Sequence, residues 1–426
     1  MKKIFIYLLV AVFVLSVFSI GIGCKKEAIP AAETTAAKEI HWTFMNAVPY
    51  AEDWYKQVLD QYMAKHPEQS YDMSSTPWEE FYGKLSVVAA GKTDIDIIFL
   101  DGSVLRDLVA SNILVDITDQ IGDTSVFRID HPAYIWKVGD RLYGLALDGM
   151  DTMGIYYNKD IFKKYALKVP ETYEDLLVVS KTLRKNGIGP LLITGTPAQW
   201  WGNQWQQFLS QYTDDPSQYV IDIVAGKRKF TDPESLEAFR WIKKFKDDGI
   251  WVDNATGIDE NTSYSMFITG KAAMFYQGTW VAPILISMAG GIEKLPQIGV
   301  THYPYVTPEH RLTADGGFAL GSGIYSGISK EKLQPALDLL RYMTSAEVTK
   351  TLGELDMAPL SSRKDVTLDM NPLTKEFVPL ADATVTWSEW YFNQQLKETF
   401  WENLSAVAGG LISPEEAAQN TQNVVK

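Results

Sequence analysis

Two hydrophobic periods alternate along this chain. Ile40 to Phe44 alternates apolar and polar residues as a strand does, and Tyr50 to Lys65 sets Trp54, Val58, Leu59, Tyr62 and Met63 at helical spacing before Pro67. Phe81 to Ala90 predicts a second helix, closed by Gly91. Ile95 to Leu100 is mostly apolar and too short for a helix, which predicts a buried parallel strand. Val104 to Ser111 predicts a helix, then Arg141 to Leu147 and Met153 to Tyr157 predict consecutive strands. Thr172 opens a helix to Lys185, with Asp175 placed to meet its free N–H groups and Asn186-Gly187 as its exit. Leu191 to Thr194 returns as a strand. Ser235 to Lys246 and Lys330 to Met343 are amphipathic, Thr344 with Glu347 reads as a capping box, and Ser413-Pro414 opens a last helix. Strands alternating with helices of this length imply α/β layers with mainly parallel sheets.

The N-terminal segment has another character. Lys2 and Lys3 precede an apolar run from Ile4 to Ile22, followed by Gly23-Cys24, which reads as an export signal. The junction resembles the lipobox of bacterial lipoproteins, where the cysteine is lipidated and becomes the first mature residue, although Gly21 stands where an aliphatic residue is usual. An ordinary signal peptide or a retained anchor is the alternative. Residues 24–39 offer almost nothing to bury and are expected to form a flexible tether.

Composition narrows the function. A net charge of −14 argues against nucleic acid as a partner, because phosphate contacts need clustered Lys and Arg. A single cysteine excludes disulfide frameworks and multi-cysteine metal sites. The unusual feature is aromatic content, with 13 Trp, 21 Tyr and 18 Phe, a heavy tryptophan load that calls for a use.

Four stretches then occur in a telling order: Gly91 to Phe99; Leu142 to Leu147 with Asp151-Thr152 and Tyr156 to Asp160; Pro170 to Leu176; and Phe267 to Met274 running into Gly278-Thr279-Trp280. With Gly316-Gly317 and Pro359 to Arg363, they give the chain a resemblance to the extracellular solute-binding proteins of ABC sugar importers, in the maltose-binding-protein-like group. The resemblance implies an α/β, two-lobed periplasmic-binding-protein-like fold of type II, with the ligand cleft between lobes and a hinge of crossing strands. Carried over, it divides the chain into lobe 1, residues 40–149 and 302–347, and lobe 2, residues 150–301 and 348–426. Asp148-Gly149-Met150 and Gly299-Val300-Thr301 are hinge candidates. It also implies a monomer that hands a carbohydrate to the transmembrane subunits of a permease, held at the membrane by a lipid on Cys24. No cofactor or metal is expected.

A sugar presents hydroxyls at its edge and C–H patches on its face, so its site wants carboxylates, amides and aromatic plates. Trp280 falls where the family places a stacking tryptophan, and Asp151 where members often carry an acidic ligand residue, with Asp148 as an equal alternative. Asp101 ends the predicted buried strand, the position where open α/β sheets meet ligands. Asn46 ends the first strand and could offer its amide. Trp200 and Trp201 lie in a predicted loop and point apart, so at least one is expected at the ligand. Trp78 and Trp387 are further candidate plates, a core role being the alternative for each. Gly316 and Gly317 would admit a close backbone approach, and Arg363 completes the candidates.

A secreted glycosidase is the rival of a different class, since 53 acidic residues always permit some carboxylate pair. The sequence holds no Gly-x-Ser-x-Gly elbow, His-Glu-x-x-His or phosphate loop, and its five histidines are scattered. A surface lectin without transport would share the aromatic cleft.

Overall fold

The computed structural model describes residues 39–47, 51–76, 94–147, 149–309, 311–351 and 358–425, with Glu80, Lys84 and Val87. The signal, all of the tether but Glu39, all of the predicted Phe81–Ala90 helix but Lys84 and Val87, and candidates Cys24, Trp78 and Asp148 lie outside the described residues.

Two sheets carry the fold. In the first, the strands run in the order Gln69–Ser75, Ile40–Asn46, Ile97–Asp101, Leu320–Ile324 and Leu145–Ala146. The first three are mutually parallel, as the apolar Ile97–Leu100 run requires of a strand covered on both faces. In the second, the order is Thr384–Thr386, Ala314–Gly317, Gly149–Asn158, Ala272–Gly278 and Gly189–Leu192. The ten-residue strand Gly149–Asn158 organises this sheet. Its start pairs with Leu360–Ser361, its next residues with Gly316–Gly317, and its end with Ile298–Thr301. The predicted Thr172 helix forms with its capping box intact.

Each sheet has its own apolar core. One contains Trp42, Phe44, Tyr55, Ile97 to Leu100, Trp136, Phe318 and Leu340. The other contains Tyr156, Trp201, Trp205, Phe208, Phe239, Phe275 and Phe400. The chain changes sheet between Ala146 and Gly149 and passes from the first core to the second between Met150 and Met153, returns between Gly317 and Leu320, and leaves again between Leu368 and Leu373.

These passages differ from the expected ones in two places. Gly299-Val300-Thr301 is no crossing: it pairs along Ile155–Tyr157, and Tyr303 and Ala314 pack in the second core. A short glycine-containing strand looks alike whether it crosses or pairs. Val348, Val366 and Leu368, expected in lobe 2, pack in the first core. The Thr344–Glu347 capping box is absent as well. Thr344 Oγ1 turns back to the Leu340 carbonyl at 2.9 Å, and Ser345 Oγ accepts from Val348 N instead.

Candidate functional site

Four tryptophans form a continuous row. Trp200 and Trp280 stack with ring centres 6.0 Å apart and planes inclined by 24°. Trp387 follows at 6.1 Å from Trp280, and Trp390 at 4.6 Å from Trp387. Local structure fixes each ring. Trp280 comes just after the strand Ala272–Gly278 and lies over Gly278, where any Cβ would strike its indole. Trp387 precedes the turn Ser388–Tyr391 and Trp390 lies within it, and both lie above Gly317, where a Cβ would sit 3.4 Å from the first ring and 3.2 Å from the second. Trp200 and Trp280 are half-buried, whereas Trp387 and Trp390 are buried. The row therefore presents an accessible end and runs inward.

The turn Ser388–Tyr391 packs on the turn Gly102–Val104, which follows Asp101 in the other core's sheet. Carboxylates gather where the two meet. Asp101 accepts from Ser103 N at 2.8 Å, and burial raises its pKa above the usual range. Asp151 pairs through its backbone with Gly317 and receives Thr279 Oγ1 at 3.4 Å. Burial first, and then the neighbouring Asp101 charge, push Asp151 to about 8. Burial pushes Glu389, on the turn between Trp387 and Trp390, to about 7, and Asp101 adds to the rise. Behind them Asp315 is fully buried, takes the Tyr276 hydroxyl at 3.1 Å, and is raised by burial and by Glu389. Asp151 and Glu389, partly neutral at pH 7 and beside flat apolar rings, suit hydroxyl groups better than anions.

The candidates separate accordingly. Trp280, Trp200, Trp387, Gly317, Asp151 and Asp101 come together. Asn46 is buried at the end of its strand, with its amide on Ser75 Oγ at 3.0 Å. Trp201 does not reach the surface: it is fully buried, donates to the Gly195 carbonyl at 3.2 Å and meets Trp251 edge to face. The reason is helical geometry. The helix Trp200–Leu209 begins where a loop was expected, so consecutive tryptophans face about 100° apart. Gly316 serves the sheet, because a Cβ there would fall on the Asp151 carbonyl. Arg363 is also structural: it grips Asp365 at 2.7 and 2.9 Å, donates to the Thr344 carbonyl and covers the Phe127 ring.

Sequence reasoning missed Glu389 and Lys397. Lys397 is 3% exposed and donates to the Ser103 carbonyl at 3.0 Å. Its signal was present: it lies on the apolar stripe with Phe400 and Leu404, where a lysine needs a partner. Among the described residues no cluster of His, Cys, Asp and Glu suits a metal ion.

Two sheets with separate cores, an aromatic row and carboxylates from both sides define a binding protein of the two-lobed class. A match to the bacterial extracellular solute-binding protein family spans residues 57–378, and the chain belongs to that family, whose work lies outside the cytoplasm. The multiple sugar-binding protein of Streptococcus mutans is 22% identical over 348 residues, 80% of each chain. Among solved structures, a chitin oligosaccharide binding protein matches with a TM-score of 0.78 at 20% identity, covering 90% of this chain and 98% of its own. A maltose-bound protein of T. maritima matches with a TM-score of 0.72 at 18% identity, covering 91% and 99%.

Proposed function

We propose that this protein is the substrate-binding component of an ABC importer, and that it captures a carbohydrate, an oligosaccharide by the length of its aromatic row. The observation that carries this reading is the row Trp200–Trp280–Trp387–Trp390 ending at Asp151, Glu389 and Asp101. Sugar rings would lie on the indoles, with hydroxyls on the carboxyl groups. Its similarity to sugar-binding and chitin-oligosaccharide-binding proteins supports the same ligand class. The lobes are taken to follow the two cores, with closure bringing Asp101 of the first toward Asp151 and Glu389 of the second. A ligand touching both lobes binds the closed form better and must shift the population toward it. The closed form would then deliver the sugar to the permease. Cys24 would carry the lipid that keeps the mature protein, a monomer, at the outer surface of the cell membrane. The carboxylates are assigned to binding, and no chemistry is proposed for them.

A thermal-shift panel of malto-, xylo- and chito-oligosaccharides tests this. A ligand at 100-fold above its Kd stabilises by about 2.7 kcal/mol, an easily measured shift. No shift with any sugar would refute the reading, and sugar fragments released from an oligosaccharide would point to the glycosidase instead.

A further inference from the structure

Lys397 stands on the helix Gln394–Gly409, whose neighbouring positions Leu396, Phe400 and Leu404 are buried apolar residues. A lysine on that face costs desolvation energy, and burial lowers its pKa accordingly. Its side chain nevertheless leaves the second core and reaches the Ser103 carbonyl beside the first. Three carboxylates lie close enough to feel the ammonium charge, Asp101 and Asp107 on one side of the junction and Glu389 on the other, while its one hydrogen bond among the described residues goes to the Ser103 carbonyl. One oxygen of Glu389, Oε2, is buried without a hydrogen-bond partner among the described residues. The remaining ionisable neighbours are otherwise engaged. The Arg106 guanidinium covers the Tyr391 ring at 4.5 Å, Asp151 lies beyond Asp101, and Asp315 lies behind Glu389.

We infer that Lys397 is a positioning residue: its buried ammonium, carried by one lobe and seated on the backbone of the other, favours the ionised forms of Asp101 and Glu389 on facing sides of the ligand site. Its meaning for ligand capture rests on the reading above, but the effect of the buried charge is testable without any ligand. Burial raises Asp101, Asp107 and Glu389, and Lys397 pulls each of them back down. Removing the ammonium leaves three carboxylates facing across the junction, which then take up protons or push the elements apart. A carboxylate with a raised folded pKa loses stability as pH climbs from its unfolded value to its folded one. The deficit of Lys397→Met must therefore open with rising pH. In acid, where the carboxyls are neutral, losing a buried cation costs nothing.

The experiment is the unfolding midpoint of ligand-free protein between about pH 4 and pH 8, for wild type, Lys397→Met, Lys397→Arg and Leu404→Ala. Lys397→Met should match or exceed wild type near pH 4 and fall below it by on the order of 5 °C or more near pH 7.5. Lys397→Arg should keep the wild-type profile, and Leu404→Ala, a simple core truncation, should lose the same at every pH. If Lys397→Met does not fold at neutral pH, folding in acid supports the inference, and failure at both pH values contradicts it. A deficit independent of pH, like that of Leu404→Ala, would overturn it. A wild type that binds no sugar would defeat the functional reading while leaving this profile unchanged.

Discussion

Asp151→Asn should make the protein more stable and a poorer binder, and the gain in stability should depend on pH. Burial, with Asp101 opposite, carries Asp151 from 3.8 to about 8. Near pH 7.5 the folded protein holds a proton there that the unfolded chain releases. At 1.36 kcal/mol per pH unit the resulting penalty has a ceiling of about 5 kcal/mol. Asp151 keeps some contact with solvent and the hydrogen bond from Thr279, so we expect roughly half of that, ~2–3 kcal/mol. The sign follows from the raised folded value: stability is intact below pH 3.8 and is lost as pH rises toward 8. Near pH 5 the same reckoning leaves less than about 1 kcal/mol. The neutral asparagine removes the penalty, so urea unfolding should show a gain near pH 7.5 that mostly disappears near pH 5. Sugar affinity should fall as well, because an acceptor that strengthens when it ionises is gone. Equal gains at both pH values, or a loss that grows with pH, would refute the reasoning.

Trp280→Ala should weaken sugar binding by ~1–3 kcal/mol, about 5- to 150-fold, while the unfolding midpoint moves little, because that ring is half-buried on the row. Titration calorimetry with thermal melts checks it; an unchanged affinity with a collapsed midpoint would make Trp280 a core residue. Cys24→Ala should abolish lipid labelling and release the protein from cells, and persistent labelling would exclude a lipid on that cysteine.

What could be read from the chain followed the local rules. Trp280 was legible because it comes just after an apolar strand ending in Gly278, and Asp101 because it ends a run that only a covered strand could accommodate. Trp201 was misread because Pro197 and Gly202-Asn203 look like a loop. There Gly202 instead lets the helix approach Trp401, whose indole lies 3.1 Å from where its Cβ would be. Glu389, and the partner that the stripe position of Lys397 calls for, stayed hidden for another reason. The partners of these two residues, Asp101 and Ser103, lie far away in sequence, and only the packing of one turn on another brings them together. The return passage at Gly317–Leu320 was missed because Ile298–Thr301 carries the same glycine and alternation but spends them on pairing with the long strand. Pairing across a sheet is a long-range property that the local pattern does not contain.

Small-angle scattering with and without the sugar that gives the largest thermal shift tests the central claim directly. If ligand bridges Asp101 on one lobe with Asp151, Glu389 and the tryptophan row on the other, the radius of gyration must fall at saturation. Tryptophan fluorescence should change at the same ligand concentration. A scattering profile identical with and without saturating ligand would contradict capture by lobe closure.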